Sequence, residues 1–129
     1  MNTCDSKISA ALRSRIRGLS ATGENQYRCI MEFDPAFTGF EGHFEGNPIV
    51  PGVCLIEAAR VIAEEVVGAT LKTLKIAQCR FRRPILAGES AAVTIKLDDA
   101  ATPAVRNVRA DFRVGEALSA QMRLEVTER

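Results

Sequence analysis

The chain has 129 residues, 47% of them hydrophobic and 26% charged, with a net charge of +1 at neutral pH. That length fits one domain over residues 1–129 with a sizeable core. The near-neutral balance is unlike a protein that neutralises many phosphates, so nucleic acid is not an expected partner. No apolar run reaches the roughly 18 residues of a membrane span, and residues 1–18 lack a continuous apolar stretch of signal-peptide type, so a cytoplasmic address is expected.

In chain order, Ile8, Leu12, Ile16 and Leu19 fit a short helix as well as they fit a strand over residues 14–20 that turns at Thr22 and Gly23. Residues 25–33 alternate Tyr27, Cys29, Met31 and Phe33 against Gln26, Arg28 and Glu32, and that period of two predicts a half-buried strand despite Ile30 on the polar side. A loop rich in Gly and Pro follows over residues 34–52. Residues 51–68 predict a helix, with proline at its start and Gly68 at its end. Between Val53 and Val67 its polar residues are Glu57, Arg60, Glu64 and Glu65 alone, so it has to be buried on several sides. Four strands are predicted over residues 71–83, 91–97, 104–114 and 117–126, separated by turn signals at Ala87-Gly88, residues 98–103 and Gly115. Antiparallel-type alternation around one greasy helix points to an α+β fold in which the sheet wraps around the helix.

Cysteines stand at positions 4, 29, 54 and 79, and their even spacing carries no shared flanking sequence, so it is not a repeat. Three of them sit in apolar runs and read as small buried hydrophobes, and Cys4 as an exposed terminal thiol. With no CxxC pair and a single histidine, reduced thiols and no metal are expected.

Residues 40–57 read Phe-Glu-Gly-His-Phe-Glu-Gly-Asn-Pro-Ile-Val-Pro-Gly-Val-Cys-Leu-Ile-Glu. This stretch resembles the active-site signature of the 3-hydroxyacyl-[acyl-carrier-protein] dehydratases, Gly-His-Phe-x-Gly-x-Pro-Ile-x-Pro-Gly-Val followed by an acid on the next helix. Phe81-Arg82-Arg83-Pro84 and Gly88-Glu89 extend the likeness to the family's Phe-x-Arg-Pro and Gly-Asp features. The resemblance implies a hot-dog fold and the reversible loss of water from 3-hydroxyacyl thioesters, with no cofactor.

The residues suit that chemistry. His43 is the single histidine, and imidazole titrates close to neutral pH, as a base for the α-proton requires; the plain alternative is a loop histidine satisfied by local hydrogen bonds. Gly46 and Gly52 allow close approach of backbone to a substrate, and Gly52 lies at a helix start, where free amides can polarise a carbonyl. By resemblance, the carbonyl of Ile49 orients the His43 ring, the amide of Gly52 binds the thioester oxygen, and Phe44 and Val53 join these as substrate-binding positions. Glu57 follows His43 at the family's offset and is the expected acid. Glu57, Arg60 and Glu64 nevertheless share one helical face, and a solvated structural stripe is the competing reading.

Glu45 replaces the family's usual Pro, Val61 replaces a frequent Gln, and the N-terminal family signature is missing. These departures leave a dedicated aryl polyene, polyketide or lipid pathway as well supported as fatty-acid synthesis. Two other classes remain: a hot-dog acyl-thioesterase and a catalytically silent acyl-thioester-binding domain. No Walker A loop, dinucleotide fingerprint or Gly-x-Ser-x-Gly elbow occurs. Acyl carrier protein is the expected partner. Arg80, Arg82 and Arg83 are candidates to meet its acidic surface, with Arg80 and Arg82 expected on one face. A sheet edge left uncovered predicts a two-fold homodimer, and the resemblance places His43 of one subunit against Glu57 of the other; a trimer of dimers occurs among relatives of this kind.

Overall fold

The computed structural model describes residues 7–37, 49–99 and 104–129. Two helices, α1 (Lys7–Arg13) and α2 (Gly52–Val67), accompany six strands: β1 (Ile16–Gly23), β2 (Gln26–Glu32), β3 (Leu71–Phe81), β4 (Ser90–Asp99), β5 (Val105–Val114) and β6 (Ala117–Glu128). The strands form one antiparallel sheet in the order β1-β2-β4-β5-β6-β3.

The ambiguous N-terminal spacing resolves into both elements. Ile8 and Leu12 belong to α1, and Ile16 and Leu19 to β1, with Leu12 fully buried and the other three packed against the core. The turn expected at Thr22 and Gly23 lies two residues later. Strand β1 runs through Gly23 and reverses at Glu24 and Asn25, where Asn25 takes a φ of 58°, a left-handed conformation that asparagine tolerates better than most residues.

Helix α2 matches its sequence signals closely. Pro51 is the N-cap, in extended backbone that a residue preceding a helix normally adopts, and Gly68 is the C-cap at φ 78°, its N–H bonded to the carbonyl of Glu64. Cys54, Leu55, Ala58, Ala59, Val61, Ile62 and Ala63 are all buried. Three alanines let the helix lie close to strands β3 to β6, and α1 covers it from another side. The inward register runs Cys29, Val93, Phe112, Ala120, Phe81 across β2, β4, β5, β6 and β3. Opposite, the row Gln26, Lys96, Arg109, Arg123 is wholly polar, as period two requires when one face meets the core.

Strands β1 and β3 are the sheet edges. On β3, Leu74, Ile76 and Phe81 are each about half exposed. No helix among the described residues is long and apolar enough to cross a membrane.

The Gly68 cap gives a direct test of this account. Gly68→Ala places a Cβ in left-handed backbone and should destabilise the protein by about 1 kcal/mol, whereas Gly68→Asn should cost less. Urea denaturation of the three proteins checks the order.

Candidate active site

The chain enters α2 along a short tether. Val50 N–H donates to the Ile85 carbonyl at 2.8 Å and Ile49 bridges Leu86. Pro51 then accepts hydrogen bonds from the amides of Cys54 and Leu55. The amides of Gly52 and Val53 belong to the first turn, where a helix offers no internal acceptor and its dipole is positive.

Beside this turn lies a groove of about 360 Å³ lined by Ile49, Gly52, Leu55, Phe81, Arg82, Arg83 and neighbours. The ring of Phe81 covers Gly52 so closely that a Cβ there would come within 2.7 Å of it. Glycine at this position therefore makes room for a phenyl ring. The ring is 53% exposed and closes one side of the groove. Val53 points its side chain away, 66% exposed.

Arg82 and Arg83 line the groove; Arg80 stands in β3 opposite Gln121. The face expected to be shared by Arg80 and Arg82 ends with the strand at Phe81, because the amides of Arg82 and Arg83 both turn onto the carbonyl of Ser119. Arg83 also pairs with Glu89 at 3.1 Å. That hydrogen bond, followed by one from the Leu86 amide, holds the Glu89 carboxyl below its ordinary range.

Glu57 sits elsewhere. Five residues beyond Gly52 it lies roughly 140° further round the helix, against α1. Its Oε2 accepts Nη2 of Arg60 at 2.7 Å, Nε of Arg60 at 3.2 Å and the Ser9 hydroxyl at 3.3 Å. Among the described residues its Oε1 has a single long contact, 3.4 Å from Arg60 Nε. The Arg60 side chain is 8% exposed. Burial works against its charge, but the hydrogen bonds and charge of Glu57, with the charge of Glu64, outweigh that and hold it above its usual value. Glu64 is fully engaged: Oε2 accepts from Arg60 Nη1 at 2.8 Å and the Leu71 amide at 2.7 Å, and Oε1 from Arg13 at 2.9 Å.

The acidic stripe is thus only partly solvated: Arg60 and Glu64 are buried beside α1, and the Glu57 side chain stays 33% exposed. Ser9 and Arg13 are the partners that sequence reasoning missed, and the helical spacing of Glu57, Arg60 and Glu64 was the one signal pointing toward them. Burial pushes the Cys29 thiol up to about 11 and raises Cys54 and Cys79 as well, with the Glu57 charge adding to the effect at Cys54. Cys29 and Cys54 are the buried hydrophobes expected, and Cys79 is half-buried. The sequence candidates His43, Phe44 and Gly46 lie outside the described residues. The structure brings Ile49, Gly52, Arg82 and Arg83 around one groove and leaves Glu57 on another face of the helix.

Comparison with known proteins shows the family and the fold. A family model described as ApeI-like, ApeI dehydratase, matches residues 20–121. A 3-hydroxyacyl-[acyl-carrier-protein] dehydratase FabZ from Caulobacter sp. (strain K31) is 26% identical over 103 residues, covering 73% of this chain and 61% of the relative. The FabZ of Caldanaerobacter subterraneus subsp. tengcongensis is 30% identical over 92 residues, covering 66% of this chain and 64% of the relative. The chain thus spans about three fifths of the length of these curated relatives. Among solved structures, the dehydratase heterocomplex ApeI:P from Xenorhabdus doucetiae superposes with a TM-score of 0.71 at 18% identity, covering 88% of this chain and 96% of its own. An acyl-CoA hydrolase from Staphylococcus aureus, in complex with butyryl coenzyme A, coenzyme A and coenzyme A disulfide, gives a TM-score of 0.59 at 18% identity over 84% of this chain and 66% of its own. The structural likenesses show the fold, which is the hot-dog fold.

The contact between Phe81 and Gly52 makes a measurable prediction. Gly52→Ala should destabilise by about 1 kcal/mol as the ring is displaced, and most of that penalty should vanish in a Phe81→Ala background. A double-mutant cycle by chemical denaturation checks it; additive effects would mean that the ring is not what restricts position 52.

Proposed function

Because the chain belongs to the ApeI-like dehydratase family, we propose that it reversibly removes water from 3-hydroxyacyl thioesters carried on acyl carrier protein, giving trans-2-enoyl thioesters. The observation that carries the reading is the groove at the start of α2, where the first-turn amides at Gly52 and Val53 have no acceptor within the helix. A thioester oxygen bound there gains stabilisation as charge develops on it. His43 takes the α-proton, the electron pair of that bond forms the new double bond, and the hydroxyl on the third carbon leaves. The proton completing the departing water comes from Glu57. In the reverse direction the Glu57 carboxylate takes a proton from the attacking water, and one oxygen serves both directions.

Within one chain the groove and Glu57 face different ways round α2, so a complete site calls for a second copy. Edge strand β3, with Leu74 and Ile76 exposed, supplies a surface on which two sheets can join. His43 of one copy then works with Glu57 of the other. Arg82 at the groove mouth is a better candidate than Arg80 to meet the carrier, and Arg83 shares its charge with Glu89.

His43→Ala and Glu57→Gln should each lower turnover about 100- to 10,000-fold in folded protein. The measurement is the change in enone absorbance on incubation with 3-hydroxyacyl and trans-2-enoyl thioesters. Release of free thiol without enone chemistry would identify a thioesterase instead, and silence a binding domain. Mixing the two inactive variants in equal amounts should recover up to about a quarter of activity per site if subunits exchange at random. No recovery after demonstrated exchange would place both residues in one chain's site or remove one of them from it.

A further inference from the structure

We propose that Arg60 is a positioning residue that grips Oε2 of Glu57 and leaves Oε1 as the oxygen presented to the reacting hydroxyl; the inference rests on the dehydratase reading above. A guanidinium has five N–H donors in a fixed fork, and all five are engaged. Nη1 donates to Glu64 Oε2 and the Leu71 carbonyl, Nη2 to Glu57 Oε2 and the Ser9 hydroxyl, and Nε to the Glu57 carboxylate. With every donor committed and the side chain buried, Arg60 has no alternative orientation to offer Glu57.

The division of labour within the fork separates positioning from plain structural support. Nη1 ties α2 to β3 through the Leu71 carbonyl, beside the Leu71 amide that Glu64 holds, and one Nη2 hydrogen ties α2 to α1 through the Ser9 hydroxyl. The bond to Glu57 joins residues three apart on one helix and connects no two elements. Its consequence is local: a glutamate side chain that would otherwise sample several rotamers is held in one. The two acids on this face differ accordingly. Both oxygens of Glu64 have short hydrogen bonds at 2.7 to 2.9 Å, whereas Oε1 of Glu57 keeps its capacity to accept and its side chain remains 33% exposed. Glu64 is the structural acid and Glu57 the working one. Ser9 adds the last contact to Oε2, so α1 takes part in aiming a carboxylate 48 residues away.

The test uses hydration of crotonyl N-acetylcysteamine thioester by the intact chain, with kcat, KM and Tm measured for each variant. Arg60→Lys keeps the charge but replaces the fork with a point donor; kcat should fall at least about tenfold while KM stays within about twofold. Glu64→Gln keeps an oxygen for Arg60 and the Leu71 amide, so it should lower Tm and leave kcat within about twofold of wild type. If Arg60→Lys does not fold, Ser9→Ala takes its place, with a several-fold lower kcat expected at unchanged KM. Wild-type kcat in Arg60→Lys, or in Ser9→Ala where it stands in, overturns the proposal. So does a joint loss of kcat in Arg60→Lys and Glu64→Gln that follows their loss of Tm, which is the behaviour of a purely structural tie. Glu57→Gln separates the levels: full activity there removes the role of Glu57 itself, whereas an inactive Glu57→Gln beside a fully active Arg60→Lys overturns only the positioning role.

Discussion

A buried guanidinium holds the helical side of this molecule together. Arg60 meets Glu57, Glu64, Ser9 and the Leu71 carbonyl, and Glu64 in turn holds the Leu71 amide and Arg13. The network joins α1, α2 and the start of β3 at one point. Its net worth against an apolar replacement is small, because removing these charges from water is costly. Breaking it is another matter: one partner left behind costs about 3–5 kcal/mol, a large share of the 5–15 kcal/mol that holds a typical domain folded. The network therefore specifies how the pieces fit more than it adds to stability. The apolar contacts of α2 on the sheet supply the bulk of the driving force.

That arrangement decides where chemistry can occur. Among the described residues, a helix packed on the sheet along one side and met by α1 along another leaves its N-terminal turn and the partly exposed Glu57 open to a substrate. The N-terminal turn opens on the groove under Phe81, with amides suited to an oxygen that gains charge. Glu57 offers a carboxylate with one oxygen held and one available. Both features belong to the same rigid helix, so two copies joined at an edge can set the groove of one against the carboxylate of the other with little freedom in the result.

Much of this was legible in residue order. The apolar run with proline before it and glycine after it located α2 to within a residue, since each signal has a single mechanical reason at a helix end. Strands β3 to β6 announced themselves by alternation. The N-terminal region did not, because Ile8, Leu12, Ile16 and Leu19 satisfy a helix period while the chain in fact changes from helix to strand between Leu12 and Ile16. The reversal at Asn25 was missed because the Gly in Gly23 is the louder turn signal. In the site, the family motif singled out Gly52 and Glu57, but not what surrounds them. The Phe81 ring over Gly52 comes from a strand 29 residues on, and the Ser9 contact to Glu57 comes from α1, 48 residues back. Helical spacing alone left the acidic stripe open between solvent and catalysis, and contacts of that range are not encoded in spacing.

The central claim is that this groove and this carboxylate act on the third carbon of an acyl thioester and not on its thioester carbonyl. The most direct measurement follows heavy oxygen from labelled water during incubation of the wild-type protein with a trans-2-enoyl N-acetylcysteamine thioester. Label on the hydroxyl of an intact 3-hydroxyacyl thioester is the predicted result. Label in a released carboxylic acid, with the carbon–carbon double bond retained, would contradict the account.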